Sequence, residues 1–496
     1  SQSASEYMHN SGQEDEEGNR LVANTESNGR FHTDWLNMIY PRLKVAKDLL
    51  SEDGVIFISI DDNEVGNLKK VCDEVFGISQ FVAEFIWEKR LNRENRKETS
   101  VRHDYVLCYS KRPKSETTKR LFQLPMNEKA LANYANPDND PRGLWKSDPA
   151  HTQGGHGTKS QFYTLIAPNG KKHELPSGRC WLYTKTVMEQ AIADNRIWFG
   201  QDGNGVPRIK TYLNSKERGL TPETILFAKD VSTNEAAKND LKELFDGVAV
   251  FDTPKPVELV KKLVQLVSKD GIVLDFFAGV GTTAHAVMQL NAEDGGKRRF
   301  ICVQLPEVCD ADSEAAKAGY QTIADISRER IRRAAKKIGE EVVAKQADAK
   351  SQLALGDVAN VTMPDLGFKA FKLQSSNFKV WRKIAGDDIG KLTEQMLSFV
   401  DPVSETATVD NMVYELLLRS GKSLNSKIER RGKWFLVNDG ELVLMLEEAT
   451  REIVDEVVSV KPQKVVALDR IFSGNDQLKT NTALQLRDAG VEFKTI

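Results

Sequence analysis

The stretch "DFFAGVGTTAHA", residues 275–286, constrains this chain more than any other. An apolar run, "GIVLDFF", breaks into small residues, and those give way to a segment that reads as a helix. Strand, glycine turn and helix in that order are the unit of a layered α/β fold. Asp275 closes the strand. Gly279 and Gly281 let the backbone turn tightly and approach a ligand, while Thr282 and Thr283 offer hydroxyls and amides at a helix N-terminus. Such loops usually open a domain, yet this one arrives more than halfway along 496 residues.

What precedes it is also layered. In "DWLNMIYPRLKVAKDLL" (34–50), Leu36, Ile39, Tyr40, Leu43, Ala46 and Leu50 recur at helical spacing. Pro41 lies within that pattern, so a kink or a break into two helices is expected. "EDGVIFISID" reads as a buried parallel strand, "EVGNLKKVCDEVFG" as a second amphipathic helix, and "HDYVLCYSK" as a further strand. Between about 112 and 245, Gly, Pro and Asn become frequent, and short strands with long loops are expected, as in a module inserted into the sheet domain. Alternation resumes with the helix "TPKPVELVKKLVQLVS", the strand of the opening loop, its helix, the strand "RRFICVQL" and a long helix through "DISRERIRRAAKKIGEEVVAK". From about 360, "FKAFKLQSSNFKVW" begins another unit, in which N-D-G between the apolar runs of "KWFLVNDGELVLML" signals a hairpin.

Charge and cysteine usage narrow the classes. No apolar run approaches the roughly 18 residues of a membrane span. The five cysteines are odd in number and scattered, which fits reduced thiols in the cytoplasm rather than a disulfide framework. Net charge is −3, so any phosphate-binding face must be local. Residues 88–120 supply one candidate, with 11 Lys/Arg against 5 Asp/Glu.

As G-x-G-x-x-A, the loop also passes for a dinucleotide fingerprint. A dinucleotide site wants an acidic residue at the end of the next strand, where this chain has Gln304. Asp275 would repel a pyrophosphate and suits a cation better, such as the amino group of S-adenosylmethionine (SAM). A methyl donor is thus favoured, with an NAD-linked oxidoreductase as the competing class.

Several segments resemble one family. "LDFFAGVGTTAHAVMQLNAEDGGKRRFICVQL" is similar to the SAM-binding segment of amino-methylating DNA methyltransferases, specifically the modification (Mod) subunits of type III restriction systems. "FDTPKPVELVKKLVQL" resembles the family's T-P-K-P element beside the cofactor, and residues 32–77 the stretch following its catalytic motif. "ISRERIRRAAKKI" and "SSNFKVW" are also similar to Mod sequences. The resemblance implies a SAM-dependent, Rossmann-like methyltransferase sheet of permuted order. Residues 1–111 would be the catalytic half, 112–245 a target-recognition insert, 246–345 the SAM-binding half and 360–496 a C-terminal α+β domain. Permutation accounts for the lateness of the loop.

The implied cofactor contacts are Asp275, Phe276, Phe277, Ala278, Gly279, Gly281, Thr282, Thr283 and Gln304, with Thr253, Lys255 and Pro256 of T-P-K-P. His103 and Tyr105 fall in an element resembling that beside the target base. Arg90, Arg93 and Arg96, with Lys97 and Arg102, lie where DNA would cross. The resemblance further implies methylation of adenine N6 in double-stranded DNA, a Mod homodimer and a restriction (Res) partner. It implies no metal, so the carboxylates Asp61, Asp62 and Glu64 read as strand-end and helix-start residues. The family's catalytic D-P-P-Y motif, whose Asp and proline carbonyl orient the flipped adenine's amine, occurs nowhere in the chain. It is expected upstream of Ser1, and the chain as it stands is expected not to methylate DNA by itself. A DNA-binding specificity subunit without catalysis, or an inactive homologue, is the alternative.

Overall fold

The computed structural model describes residues 31–94, 98–113, 119–215, 219–352, 362–379, 390, 393, 395 and 401–496. The chain divides into two compact units, Ser1–Gly367 and Phe368–Ile496.

The first unit begins with α1 (Phe31–Leu49). Ile39, Leu43 and Ala46 are buried at the expected spacing. Pro41 does not break the helix: its ring is on the exposed side, and Arg42 donates to the Met38 carbonyl at 2.5 Å in the adjoining turn. β1 (Val55–Ile60), α2 (Val65–Val75), β2 (Phe81–Glu88) and β3 (His103–Ser110) follow. β3 turns back between its predecessors and pairs antiparallel with both. "VIFISI" is therefore not the buried parallel strand its apolar run predicts. Among the described residues β1 pairs only with β3 and is half-buried, because β3 takes the central place. Along β3 the side chains alternate. Leu107 and Tyr109 join Leu43 and Leu68 beneath α1 and α2, while Val106 and Cys108 face the opposite core with Phe85 and Trp87.

The insert is built of short strands: β4 (Trp145–Pro149), β5 (His151–Gln153), β6 (Leu165–Ile166), β7 (Lys172–His173) and β8 (Arg179–Trp181), then α3 (Lys185–Ala193), β9 (Ile197–Trp198) and β10 (Arg208–Tyr212). β4, β10 and β9 form its main sheet. Its keystone is Lys210, whose ammonium is buried between Asp138 and Asp140 and lies over the rings of Trp145 and Trp198. Arg142 clamps Asp140 with two bonds of 2.8 Å, and Tyr212 donates to it at 2.7 Å. These donors, Arg142 foremost, hold the Asp140 carboxyl well below the usual carboxylate range. Trp145 and Trp181 are core residues.

After the insert the chain returns to the sheet. β11 (Ile225–Leu226) pairs parallel with β2, so residues just after 220 serve the core sheet although their composition groups them with the insert. α4 (Asn234–Leu244) and α5 (Val257–Gln265) follow. Leu259, Leu263 and Leu266 of the α5 region complete the core behind Phe85 and Trp87. β12 (Asp270–Asp275), α6 (Thr282–Asp294) and β13 (Lys297–Cys302) make a parallel β–α–β unit, and α7 (Ile323–Gln352) is the long helix. Two sheets, one of four strands and one of two, carry this core among the described residues. Ile272, Leu274 and Ile301 of the smaller sheet are between 36% and 55% exposed, although parallel strands normally have both faces covered.

The second unit is an α+β domain. It contains α8 (Val409–Arg419), β14 (Ile428–Arg431), β15 (Trp434–Val437), β16 (Leu442–Met445), α9 (Arg451–Ser459), β17 (Lys464–Ala467), α10 (Asp476–Asp488) and β18 (Glu492–Thr495). The strands form one sheet in sequence order, antiparallel through β16 and parallel beyond it. The N-D-G hairpin forms as its sequence predicts, with Asn438, Asp439 and Gly440 all at positive φ. Both faces are apolar. Phe435, Val437, Leu442 and Leu444 meet α8, and Leu436, Val443 and Met445 meet α9 and α10.

Candidate functional site: the loop after β12

β12 ends at Asp275, and the backbone then turns through Gly279 (φ +52°) and Gly281 (φ +76°) into α6. Both conformations are left-handed, the region open to glycine without a Cβ penalty. At Gly281 there is a second reason. A Cβ there would stand 2.7 Å from Ser327 Oγ and 3.3 Å from Ile331 Cγ1, because α7 presses directly on the turn.

The side chains of the loop bind one another. Asp275 accepts from the Phe277 amide (3.1 Å) and from the Thr283 hydroxyl (2.6 Å), so one carboxylate pins both ends of the turn. Gln304, just past β13, accepts from the Gly279 amide at 2.7 Å, which leaves its NH2 end to offer to a ligand. Ala278, Gly281, Thr282 and Thr283 are buried, whereas Phe277 is about half exposed. α6 is wrapped by protein from Thr282 to Asn291, and its His285 is driven down to about 3, by burial first and then by Arg330, Lys337 and Lys261. Burial pushes the Cys302 thiol, paired in register with Asp275, up to about 12, which keeps it protonated and inert as a nucleophile. The loop thus offers a fixed carboxylate, a helix N-terminus and an exposed aromatic ring.

The remaining sequence candidates gather at the four-stranded sheet. Lys255 of T-P-K-P reaches Asp104 on β3 at 3.6 Å and lies over the Trp87 ring. Pro254 and Pro256 are buried, Thr253 is exposed, and Pro256 caps α5, which is tied to α6 by Lys261 and Glu293 at 2.5 Å. His103 and Tyr105 project from the same side of β3 and meet through Nε2 and the phenol oxygen at 3.0 Å. Between them stands Asp104, a buried carboxylate also bonded by Lys89 at 2.6 Å. Asp104 is not among the sequence candidates, since alternation along the strand turns it away from His103 and Tyr105. Its signal was a carboxylate in an otherwise apolar run.

The basic segment is only partly free for a ligand. Arg102 is paired with Glu88 and also donates to the Arg90 carbonyl, and Arg90 lies 3.6 Å from Glu94. Arg93 is exposed. Arg96 and Lys97 lie outside the described residues. Glu64 is buried, bonded to His32 and Asn67. Among the described residues no group of three or more metal-capable side chains comes together, and no helix is long and apolar enough to cross a membrane.

A strand, an αL glycine turn and a helix in an α/β layer define a class of small-molecule-binding folds. Residues 10–336 match the DNA methylase family, and the chain belongs to it. The modification subunit of the type III restriction-modification enzyme EcoP15I from Escherichia coli is 30% identical over 95% of this chain and 74% of its own length, which places the chain among the type III modification subunits. The StyLTI modification subunit of Salmonella typhimurium is 41% identical over 62% of this chain, and that of EcoPI from Escherichia phage P1 is 33% identical over 65%. The chain spans 46% and 53% of those two relatives.

Proposed function

We propose that this chain serves the transfer of a methyl group from SAM to adenine N6 in double-stranded DNA, as the modification subunit of a type III restriction system. The observation that carries the reading is the loop after β12. Asp275 is fixed at its strand end by Phe277 and Thr283, beside an αL turn that aims a 13-residue helix at the same place. That set fits SAM. Asp275 would hold the ammonium, the first turn of α6 the carboxylate, and the Gln304 NH2 a ribose hydroxyl. The cofactor supplies an activated methyl on a sulfonium, so no metal is required.

What the chain's own residues do is bind and orient. Lys255, Asp104 and Lys89 link the T-P-K-P segment to β3, which presents His103 and Tyr105 toward a second ligand. Arg90 and Arg93 are proposed phosphate contacts, and the insert the sequence reader. Double-stranded DNA, a second modification subunit and a Res subunit are the proposed partners, in the cytoplasm. The D-P-P-Y motif, which by resemblance would orient the adenine amine, does not occur in this sequence, which contains no two adjacent prolines.

Two measurements test this. Calorimetry is expected to show binding of SAM and none of NADH, and the reverse would return the loop to the dinucleotide class. Tritium transfer from labelled SAM to duplex DNA is expected only when a D-P-P-Y-bearing segment is added. Turnover by the 496 residues alone would show that another group orients the amine. Binding of DNA and SAM without transfer under either condition would favour a specificity subunit.

A further inference from the structure

Two arginines of α7 differ in their surroundings. Arg333 is answered by carboxylates, Asp246 at 2.5 Å and Glu329 at 2.8 Å. Arg330 is only 3% exposed, yet among the described residues no carboxylate lies within ion-pair distance of it. Its Nη1 donates to the Thr282 hydroxyl at 2.7 Å, and its Nε has no partner among the described residues. A buried guanidinium without a counter-ion is costly. This one is placed at the N-terminus of α6, where the helix field is already positive. Asp240, the carboxylate that acts on it from further away, is itself pushed upward by burial and by Glu258 and Glu243. Structural need alone favours an apolar residue at 330, as at Ile331 and Ala334.

We propose that Arg330 is a positioning residue for the cofactor loop, which directs the Thr282 hydroxyl and makes the first turn of α6 select a ligand that brings a carboxylate. The inference rests on reading that loop as the SAM site. The physical route is direct. An arginine cannot accept a hydrogen bond, so the Thr282 oxygen must accept from it, and the Thr282 proton is turned to another acceptor. The same α7 face, through Ser327 and Ile331, closes on Gly281 and fixes the turn in place. The guanidinium adds charge behind the helix terminus, and a carboxylate ligand supplies the counter-charge that the described residues do not.

The test is calorimetry on the full chain with SAM, S-adenosylhomocysteine and 5′-methylthioadenosine, the last of which lacks the amino-acid carboxylate. Arg330→Met is expected to weaken SAM and S-adenosylhomocysteine by about tenfold or more, the scale of one charge-assisted bond, and methylthioadenosine by less than about twofold. Arg330→Lys should recover part of the loss. Should Arg330→Met not fold, Thr282→Val removes the hydroxyl with α7 intact and must show the same selectivity. Equal losses for all three ligands, or none, would overturn the proposal and leave Arg330 a packing residue. If the unaltered chain binds none of the three, the SAM reading fails and the inference fails with it.

Discussion

At the scale of single residues, the site is an exercise in where charge is allowed. His285 lies one turn into α6; among the described residues its Nδ1 has no partner, and the charges that act on it are the cations of Arg330, Lys337 and Lys261. Its folded value is lowered, to about 3 against 6.5, so between those values the unfolded chain binds a proton that the folded chain does not. The stability contributed by neutral His285 is complete above about pH 6.5 and is lost as pH falls toward 3. We expect His285→Gln to flatten the acid dependence of urea stability over that window, by up to about 1.4 kcal/mol per pH unit. An unchanged slope would assign the acid loss to other groups. The glycine turn that joins Asp275 to Gly279 and Gly281 was legible because a strand end and the helix after it are close in sequence, and Gln304 was marked only by its place at the end of the next strand. Asp104 and Arg330 were not, since each matters through a partner on a distant segment.

At the scale of elements, the αL turn shows why two glycines of one motif are not equivalent. Gly281 faces Ser327 and Ile331, whereas a Cβ on Gly279 meets no protein atom within 4 Å. Gly281→Ala should therefore lower the melting temperature well beyond Gly279→Ala, which carries only the left-handed penalty of about 1–2 kcal/mol. If the proposed SAM site is right, Gly279→Ala should instead show its larger effect on SAM binding, because there the backbone would meet the ligand. A melting scan and a titration of both variants decide it, and equal melting points would mean that α7 does not press on the turn. Helices were read well from spacing, α1 continuing through Pro41 despite the expected break. Strand direction was read less well. "VIFISI" carries the composition of a parallel core strand, but its neighbour is set by the return of β3, seen in no local pattern.

At the scale of the whole chain, the second unit has its own two-faced sheet, with apolar residues alternating between α8 on one side and α9 and α10 on the other. A five-stranded sheet covered on both faces meets the usual requirement for independent folding. Residues 368–496 expressed alone are expected to melt cooperatively, and a broad, non-cooperative transition would show that they need the first unit. The sequence expectation puts a new unit after a polar segment, from "FKAFKLQSSNFKVW", and the second compact unit begins at Phe368. The return of residues 225–226 to the edge of β2 was not, because two residues carry no period.

Sequence alone determined the kinds of element, the strand–glycine–helix loop with its carboxylate, and the resemblance to the type III modification subunits. All of these depend on residues close together in the chain, where backbone preference and side-chain spacing act directly. Only the tertiary structure decided which strand is central, that Lys255 answers Asp104, and that α7 sets behind Thr282 an arginine with no carboxylate at ion-pair distance among the described residues. Those outcomes depend on which apolar faces bury one another between segments well separated in the chain, and on which buried charges then find a counter-charge.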